Sequence, residues 1–455
     1  NRRQRQMCIR DRTLSARQAD IHLQPRPGTD GALALGMAHH LMATGRVDES
    51  FITRHTLGFK RFTETLAAFT PQHAAAVTGL DAATICRTAE QYTDQTPASI
   101  IIGIGLQRYA NGGNTVRCID ALAAMTGNIG RSGGGANYAN RAITRWIDRD
   151  GGAAPETPAP HGRTFPLPRM ARFIRSAQNP PIAVAMVAKA NPLVQMPDTR
   201  AMEDALARVP FKIVIDMFMT DTARAADLVL PCTSILEEED LVYSSMFSPY
   251  LNYSGQAVPP PEGLLGEYEV FRHLARRMGL ASYPDLPARS FLANTIRPLT
   301  REFGLTLDHL ETAPFKLPDD DIPWSDRQFA TPSGRYEFYS HKALEDGGRP
   351  LPTFIPPQEA PSDFPLRLLT PHHAHALHSQ HFAFRNDRPV ASIHPDAAET
   401  RGLTTGRIVQ VVSPQGRIQA RLALDPGIAP GILKIDQGWW HHSGSVNRLT
   451  NDTLS

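Results

Sequence analysis

Cysteine is scarce in this chain. Its 455 residues hold four, Cys8, Cys86, Cys118 and Cys232, and no two stand at CxxC spacing. By spacing, the segment therefore carries neither an iron–sulfur cluster nor a structural zinc. Packed thiols in a reducing compartment are expected, with a cytoplasmic location, while a disulfide among the four stays open. No apolar run approaches membrane-spanning length, and no basic stretch leading into an apolar one marks a signal peptide. An excess of one charge is missing too: a net charge of +2 gives a nucleic acid no electrostatic footprint. Also absent is a GxGxxG after a strand with an acid roughly twenty residues on, which disfavours a nicotinamide or flavin dehydrogenase.

What is present is an ordinary globular composition, 41% hydrophobic and 20% charged. The length suffices for about two to four domains with cores of their own. The organising stretch is Phe211 to Pro231, FKIVIDMFMTDTARAADLVLP. Phe211 to Ile215 is apolar and β-branched, as a strand buried on both faces of a parallel sheet would be. Asp216 falls at its carboxyl end, the edge where open α/β sheets bind ligands and where an acid suits ribose hydroxyls or a guanine N–H edge. Thr220 and Thr222 can cap a short helical turn or offer hydroxyls to a ligand. A buried strand with an ordinary cap and no ligand is the plainer alternative. The pattern recurs, however. Thr13, Ala16, Arg17, Ala19, Asp20, Ile21 and Leu23 repeat the spacing of Thr220, Ala223, Arg224, Ala226, Asp227, Leu228 and Leu230, which points to two related nucleotide-binding units.

In the first unit, Asp20 to Leu23 reads as a strand, and Pro27-Gly28 as a tight turn. Thr29 or Asp30 caps an apolar helix through Leu41, a geometry that suits a phosphate on a helix N-terminus. Helices follow from Asp48 to Gln91. Ile100 to Ile104 is a strand running into Gly105, Gln107 and Arg108, and Val116 to Met125 is a helix ending in a glycine cluster. Pro and Gly between Arg141 and Pro168 mark a boundary. The second unit has a helix from Arg169 to Ala177, a strand from Ile182 to Val187, Asn191 at the strand exit and a crossover helix from Met202 to Arg208. Glu237 to Asp240 reads as a solvated acidic patch rather than a divalent-metal site. Gly266 to Met278 is an amphipathic helix capped by Gly279, and Thr331 to Tyr339 alternates like a strand that closes this unit. From Leu366 on, short strands with Gly and Pro turns argue for a small β-barrel. In it His372, His373, His375, His378 and His381 crowd one loop. Without a nearby cysteine, zinc gives way to histidines lining a ligand cavity. Near the end, Asn447 is a contact candidate beside Trp439 and Trp440.

Both ends are read as incomplete. Residues 1–12 include a hexapeptide, Met7 to Arg12, that a sequencing adaptor would encode, so they are expected to be an artefact or a disordered tail. Residues 13–140, 141–361 and 362–455 are then the first unit, the second unit and the barrel.

The motifs together resemble the molybdenum and tungsten oxidoreductases that bind two molybdopterin guanine dinucleotides, the dimethyl sulfoxide reductase and formate dehydrogenase group. They are ADIHLQPRPGTDGAL at Ala19 to Leu33, IIGIGLQR at Ile101 to Arg108, ALAAMTGNIGRSGGG at Ala121 to Gly135 and KANPLVQMPD at Lys189 to Asp198. IDMFMTDTARAADLVLP at Ile215 to Pro231, LLTPHHAHALHSQ at Leu368 to Gln380 and NRLT at Asn447 to Thr450 complete the set. The resemblance implies two Rossmann-like parallel-sheet domains and a C-terminal six-stranded barrel of double-psi type. Gly28, Thr29, Asp30, Gly105, Gln107 and Arg108 would serve one dinucleotide. Asn191, Asp216, Thr220 and Asp240 would serve the other, and His378, Ser379, Gln380 and Asn447 would reach the pterins. The metal, Mo or W, would take its protein ligand from a region upstream of residue 1, where a 4Fe–4S cluster would also lie. The first unit would lack its opening strand, and the fragment alone would be inactive. The parent would act on a small molecule, with an electron-transfer subunit as partner. Within the same fold a cofactor-free scaffolding subunit, or a hydratase or transhydroxylase, are the rivals.

Overall fold

The structure, a computed structural model, describes residues 6–8, 13–109, 111–139, 142–148, 163–244, 248–281, 283–317, 322–359, 361–380 and 387–452. Its first unit is built around the helix Asp30–Ala43, whose residues Gly31 to Ala38 and Leu41 are all buried. DGALALGMAHHLMA is small and apolar on every side, so three helices can close on it: Pro71–Thr78, Ala82–Asp94 and Gly112–Met125. Two of the neighbours start at a capping side chain, whereas Gly112–Met125 begins four residues before the expected Val116. Thr70 accepts from the His73 N–H ahead of Pro71, and Asp81 accepts from the Thr84 N–H.

The sheet of this unit differs from expectation. Among the described residues it consists of separate parallel pairs, Gln6–Cys8 with Ile21–Leu23, Ser99–Ile101 with Gly135–Asn137, and Thr56–Leu57 with a segment from much later in the chain. Gln6–Cys8 thus lies in a strand rather than a disordered tail, and it fills the place of the opening strand that was expected to be missing. The repeat holds in three dimensions. The pairing Gln6↔Ile21, Met7↔His22, Cys8↔Leu23 recurs as Ile213↔Leu228, Val214↔Val229, Ile215↔Leu230. Thr13 caps its helical turn by accepting from Ala16 N–H at 3.2 Å, and Thr220 does the same from Ala223 N–H at 3.1 Å.

The second unit is a three-stranded parallel sheet in the order Val184–Ala188, Phe211–Asp216, Leu228–Pro231. Phe211 to Ile215 is not buried on both faces as its composition suggested. Val214 and Ile215 are covered, but Phe211 is 41% exposed, beside Val184 at 54%. Only the carboxyl end of this sheet is closed over.

Two regions went unforeseen. Asp240–Tyr243, Tyr250–Ser254 and Phe315–Lys316 form an antiparallel sheet that shares a core with three helices between Ala288 and Thr312. Ile143 and Ile147, from the stretch read as a boundary, are buried in that core. Residues 331–339 do not close the second unit. Tyr336–Glu337 pairs in parallel with Thr56–Leu57, and Phe338 stacks on Phe62 at 4.9 Å inside the first core, which also holds Phe354. The helix Gly112–Met125 fixes this returning segment through backbone carbonyls. Arg117 donates to Arg349 O at 2.7 Å and Pro350 O at 2.6 Å, and Asn111 donates to Thr353 O at 3.3 Å.

The C-terminal module is a curled sheet of five described strands in the order Arg367–Leu369, Ile432–Lys434, Val390–Ile393, Arg417–Leu424, Ile408–Val412. Alternation in Arg417–Leu424 buries Ile418, Ala420 and Leu422. The six-stranded closed barrel is not found among the described residues, since Arg367–Leu369 and Ile408–Val412 are each paired on one side only.

Candidate functional site

Strand exits from both units converge beneath the loops of the C-terminal module. The module is tied to the first unit by Arg367 Nη1 donating to Pro27 O at 2.7 Å and Gln24 Nε2 donating to Gly427 O at 2.9 Å. It is tied to the second more heavily. Asn447 Nδ2 donates to Val194 O at 2.6 Å, Gln195 Nε2 to Ser379 Oγ at 3.3 Å, and Arg448 pairs with Glu203 at 2.6 Å. The backbone N–H of His441 donates to Asp221 at 3.3 Å. These ties bring the three parts together along a candidate cleft.

On the first-unit side, Gly28 has φ +82, a left-handed conformation that favours glycine, and it lies against Tyr109 and Pro357. Thr29 is turned inward: its N–H and hydroxyl both donate to Arg26 O, at 3.1 and 2.6 Å, so the hydroxyl is not offered to a ligand. Asp30 opens the helix. Gly105 stands open, with no atom within 4 Å of where a Cβ would be, and Gln107 Oε1 accepts from Tyr138 OH at 3.3 Å. The Arg108 charge is felt at the histidine loop. Burial, then His378 and the Arg108 charge, push His372 below the usual imidazole range.

On the second-unit side, Asn191 is 1% exposed at the exit of Val184–Ala188. Its Oδ1 accepts from Thr222 twice, and its Nδ2 has no partner. Asp216 accepts from Phe218 N–H at 3.1 Å; burial pushes its carboxyl up, and nearby Glu267 adds to the effect. Asp240 is pushed up by burial, then by Glu238. Lys189, at φ +45, lies between Glu238 at 3.1 Å and Glu267 at 2.7 Å. Thr220 accepts from the Ala223 N–H as a helix cap, a bond that leaves its hydroxyl proton unused. Nor is the run Glu237 to Asp240 a solvated patch. A turn sends the three glutamates to different partners: Glu237 to Ser234 N–H, Glu238 to Thr233 and Lys189, Glu239 to Tyr253 and Arg289.

In the module, the rings of His372 and His378 lie 4.9 Å apart, and Gln437 Nε2 is 2.7 Å from His372 Nδ1. His381 lies outside the described residues. No group of three or more metal-ligating side chains occurs among the described residues. Ser379 is buried, accepting from Gln195 through its hydroxyl and from Trp440 Nε1 through its carbonyl at 2.9 Å, whereas Gln380 is exposed. Asn447 serves as a tie between module and second unit. Sequence reasoning missed Lys189, Gln437 and His441 as parts of the cleft. For Lys189 the signal was its place directly after a strand.

The molybdopterin oxidoreductase family model matches residues 2–277, and the molybdopterin dinucleotide binding domain model matches residues 366–455. A probable oxidoreductase, YyaE, of Bacillus subtilis is 34% identical over 97% of this chain and 67% of its own length. An F420-dependent formate dehydrogenase subunit alpha of Methanocaldococcus jannaschii is 27% identical over 97% of this chain and 68% of its length. The solved acetylene hydratase of Pelobacter acetylenicus shares the fold, with a TM-score of 0.82 at 24% identity over 99% of this chain and 70% of that one. The chain thus spans about two thirds of the length of these relatives. With both families of match running in order along it, this chain belongs to the molybdopterin oxidoreductases.

Proposed function

We propose that this chain is the cofactor-cradling part of a molybdenum or tungsten enzyme that holds two molybdopterin guanine dinucleotides. The enzyme passes two electrons or an oxygen atom between the metal and a small substrate, in company with an electron-transfer subunit. The observation that carries the reading is Asn191 Nδ2, an orphaned donor at a strand exit under the module. An unmet buried donor costs about 1–3 kcal/mol, and a ligand acceptor at that point removes the cost. The other side chains fit the same group. Gly28, Asp30, Gly105, Gln107 and Arg108 line one wall for the first dinucleotide, and Asn191, Asp216 and Asp240 line the other for the second. His378 and Gln380 face them from the module, while Thr29, Thr220, Ser379 and Asn447 hold those walls in place.

When bound, the cofactor supplies a metal that changes oxidation state, tuned by its dithiolenes. The chain's own contribution is binding and proton control. Asp216 and Asp240, whose carboxyls burial pushes up, would accept from N–H edges of the second dinucleotide. His372, which burial pushes down and Gln437 holds at 2.7 Å, is the ring proposed to exchange protons there.

The test is chemical. Acid treatment of the purified full-length protein should release guanine nucleotide, and elemental analysis should find molybdenum or tungsten. Protein that is folded yet devoid of both would turn the reading toward a scaffolding relative.

A further inference from the structure

The two ends of the Asn191 amide are decided by its neighbours. Thr222 aims two donors at Oδ1, its N–H at 3.2 Å and its hydroxyl at 2.7 Å. The hydroxyl's role is fixed in turn. It accepts from the Leu193 N–H at 3.2 Å, which leaves its proton for Asn191. A flipped amide would set Nδ2 against two donors, so Nδ2 has to face away from Thr222. It does so while buried and with no protein partner.

We propose that Thr222 is a positioning residue that selects which ligand atom Asn191 receives, an inference that rests on the function proposed above. With the amide oxygen already doubly engaged, this point of the cleft takes a hydrogen-bond acceptor: a phosphoryl or carbonyl oxygen, or a ring nitrogen. An N–H or O–H group is turned away. Thr222 is itself held by its place in the short helix Asp221–Arg224, which Thr220 caps and whose Asp221 accepts from the His441 N–H of the module. Seating of the module and aiming of the amide are therefore linked through two consecutive residues.

Three variants of the full-length protein test this: T222V, T222S and N191D, each assayed for acid-released guanine nucleotide per polypeptide after gel filtration and for Tm. T222S keeps the hydroxyl and should retain nucleotide like the wild type. T222V loses the bond that orients the amide, and retention should fall about tenfold, the equivalent of one such interaction. N191D preserves the shape and the Oδ1 bonds but replaces the donor by an acceptor. Its retention should fall by more than about tenfold with Tm little changed. Full retention in T222V or N191D overturns the inference, as does an equal loss in T222S and T222V, which would mean that the site responds to any change of side chain rather than to loss of the hydroxyl. Should T222V fail to fold, N191D decides. Wild-type protein without guanine nucleotide defeats the function proposed above, and this inference with it, whereas loaded wild type with unaffected variants defeats this inference alone.

Discussion

The two copies of the repeat share a skeleton and differ in what surrounds it. Each has a threonine-capped turn, a buried alanine at the same point, Ala16 or Ala223, and a strand pair in the same register. In the first copy the neighbouring helices and the returning segment close a large core that takes in Leu23. In the second, burial is confined to Val214 and Ile215 near the carboxyl end of the middle strand, and the module is tied to the neighbouring Val194. Backbone hydrogen bonds carry the duplication, and side chains set the two copies apart: one is packed into a large core, the other leaves much of its sheet exposed.

The largest effect should come from the packed core. Phe338→Ala removes a ring that is fully buried against Phe62 and should cost about 3–5 kcal/mol in denaturant unfolding. Phe211→Ala, at a position 41% exposed in the second copy, should cost under about 1 kcal/mol. Comparable losses at the two positions would break the contrast.

Next comes Asp120, on the helix that grips the returning segment. Burial pushes its carboxyl up to about 7, against the pull of Arg117. Because the folded form disfavours the charge, the penalty is absent below the ordinary carboxyl range and grows as the pH rises through about 7. D120N should therefore gain stability over the wild type by roughly 1–3 kcal/mol between pH 4 and pH 8. Parallel unfolding curves of the two proteins across that range would refute the assignment.

The smallest effect tests the likeness itself. Thr13→Ala and Thr220→Ala each remove one cap bond and should each cost about 1 kcal/mol. A loss of bound nucleotide in T220A with Tm unchanged would return Thr220 to the ligand and break the equivalence.

What could be read from the residues was local. The caps at Thr70 and Asp81, the helix Glu267–Met278 with Gly279 in its left-handed cap, and the strand exit at Asn191 all follow from short-range chemistry. The repeat also survived because spacing encodes register. Long-range pairing left no such trace. Nothing in Tyr336-Glu337 says that Thr56-Leu57 is its partner, and Ile432–Lys434 is too short to announce itself inside the module. Side-chain direction was equally opaque. Thr29 can offer its hydroxyl to a phosphate or to Arg26 O, and only the turn geometry chooses the latter. The acids at 237–239 looked alike as a run and became three different partners once the chain turned.

The return of Tyr336 and Phe338 to the first unit bears on how the polypeptide matures. Phe59 and Phe62 leave the ribosome early, yet the ring that covers them arrives only after the whole second unit and the antiparallel body have been made. Until that ring is made, Phe59 and Phe62 lack the cover that the finished fold gives them, and exposed apolar surface of this kind is where partly folded chains associate.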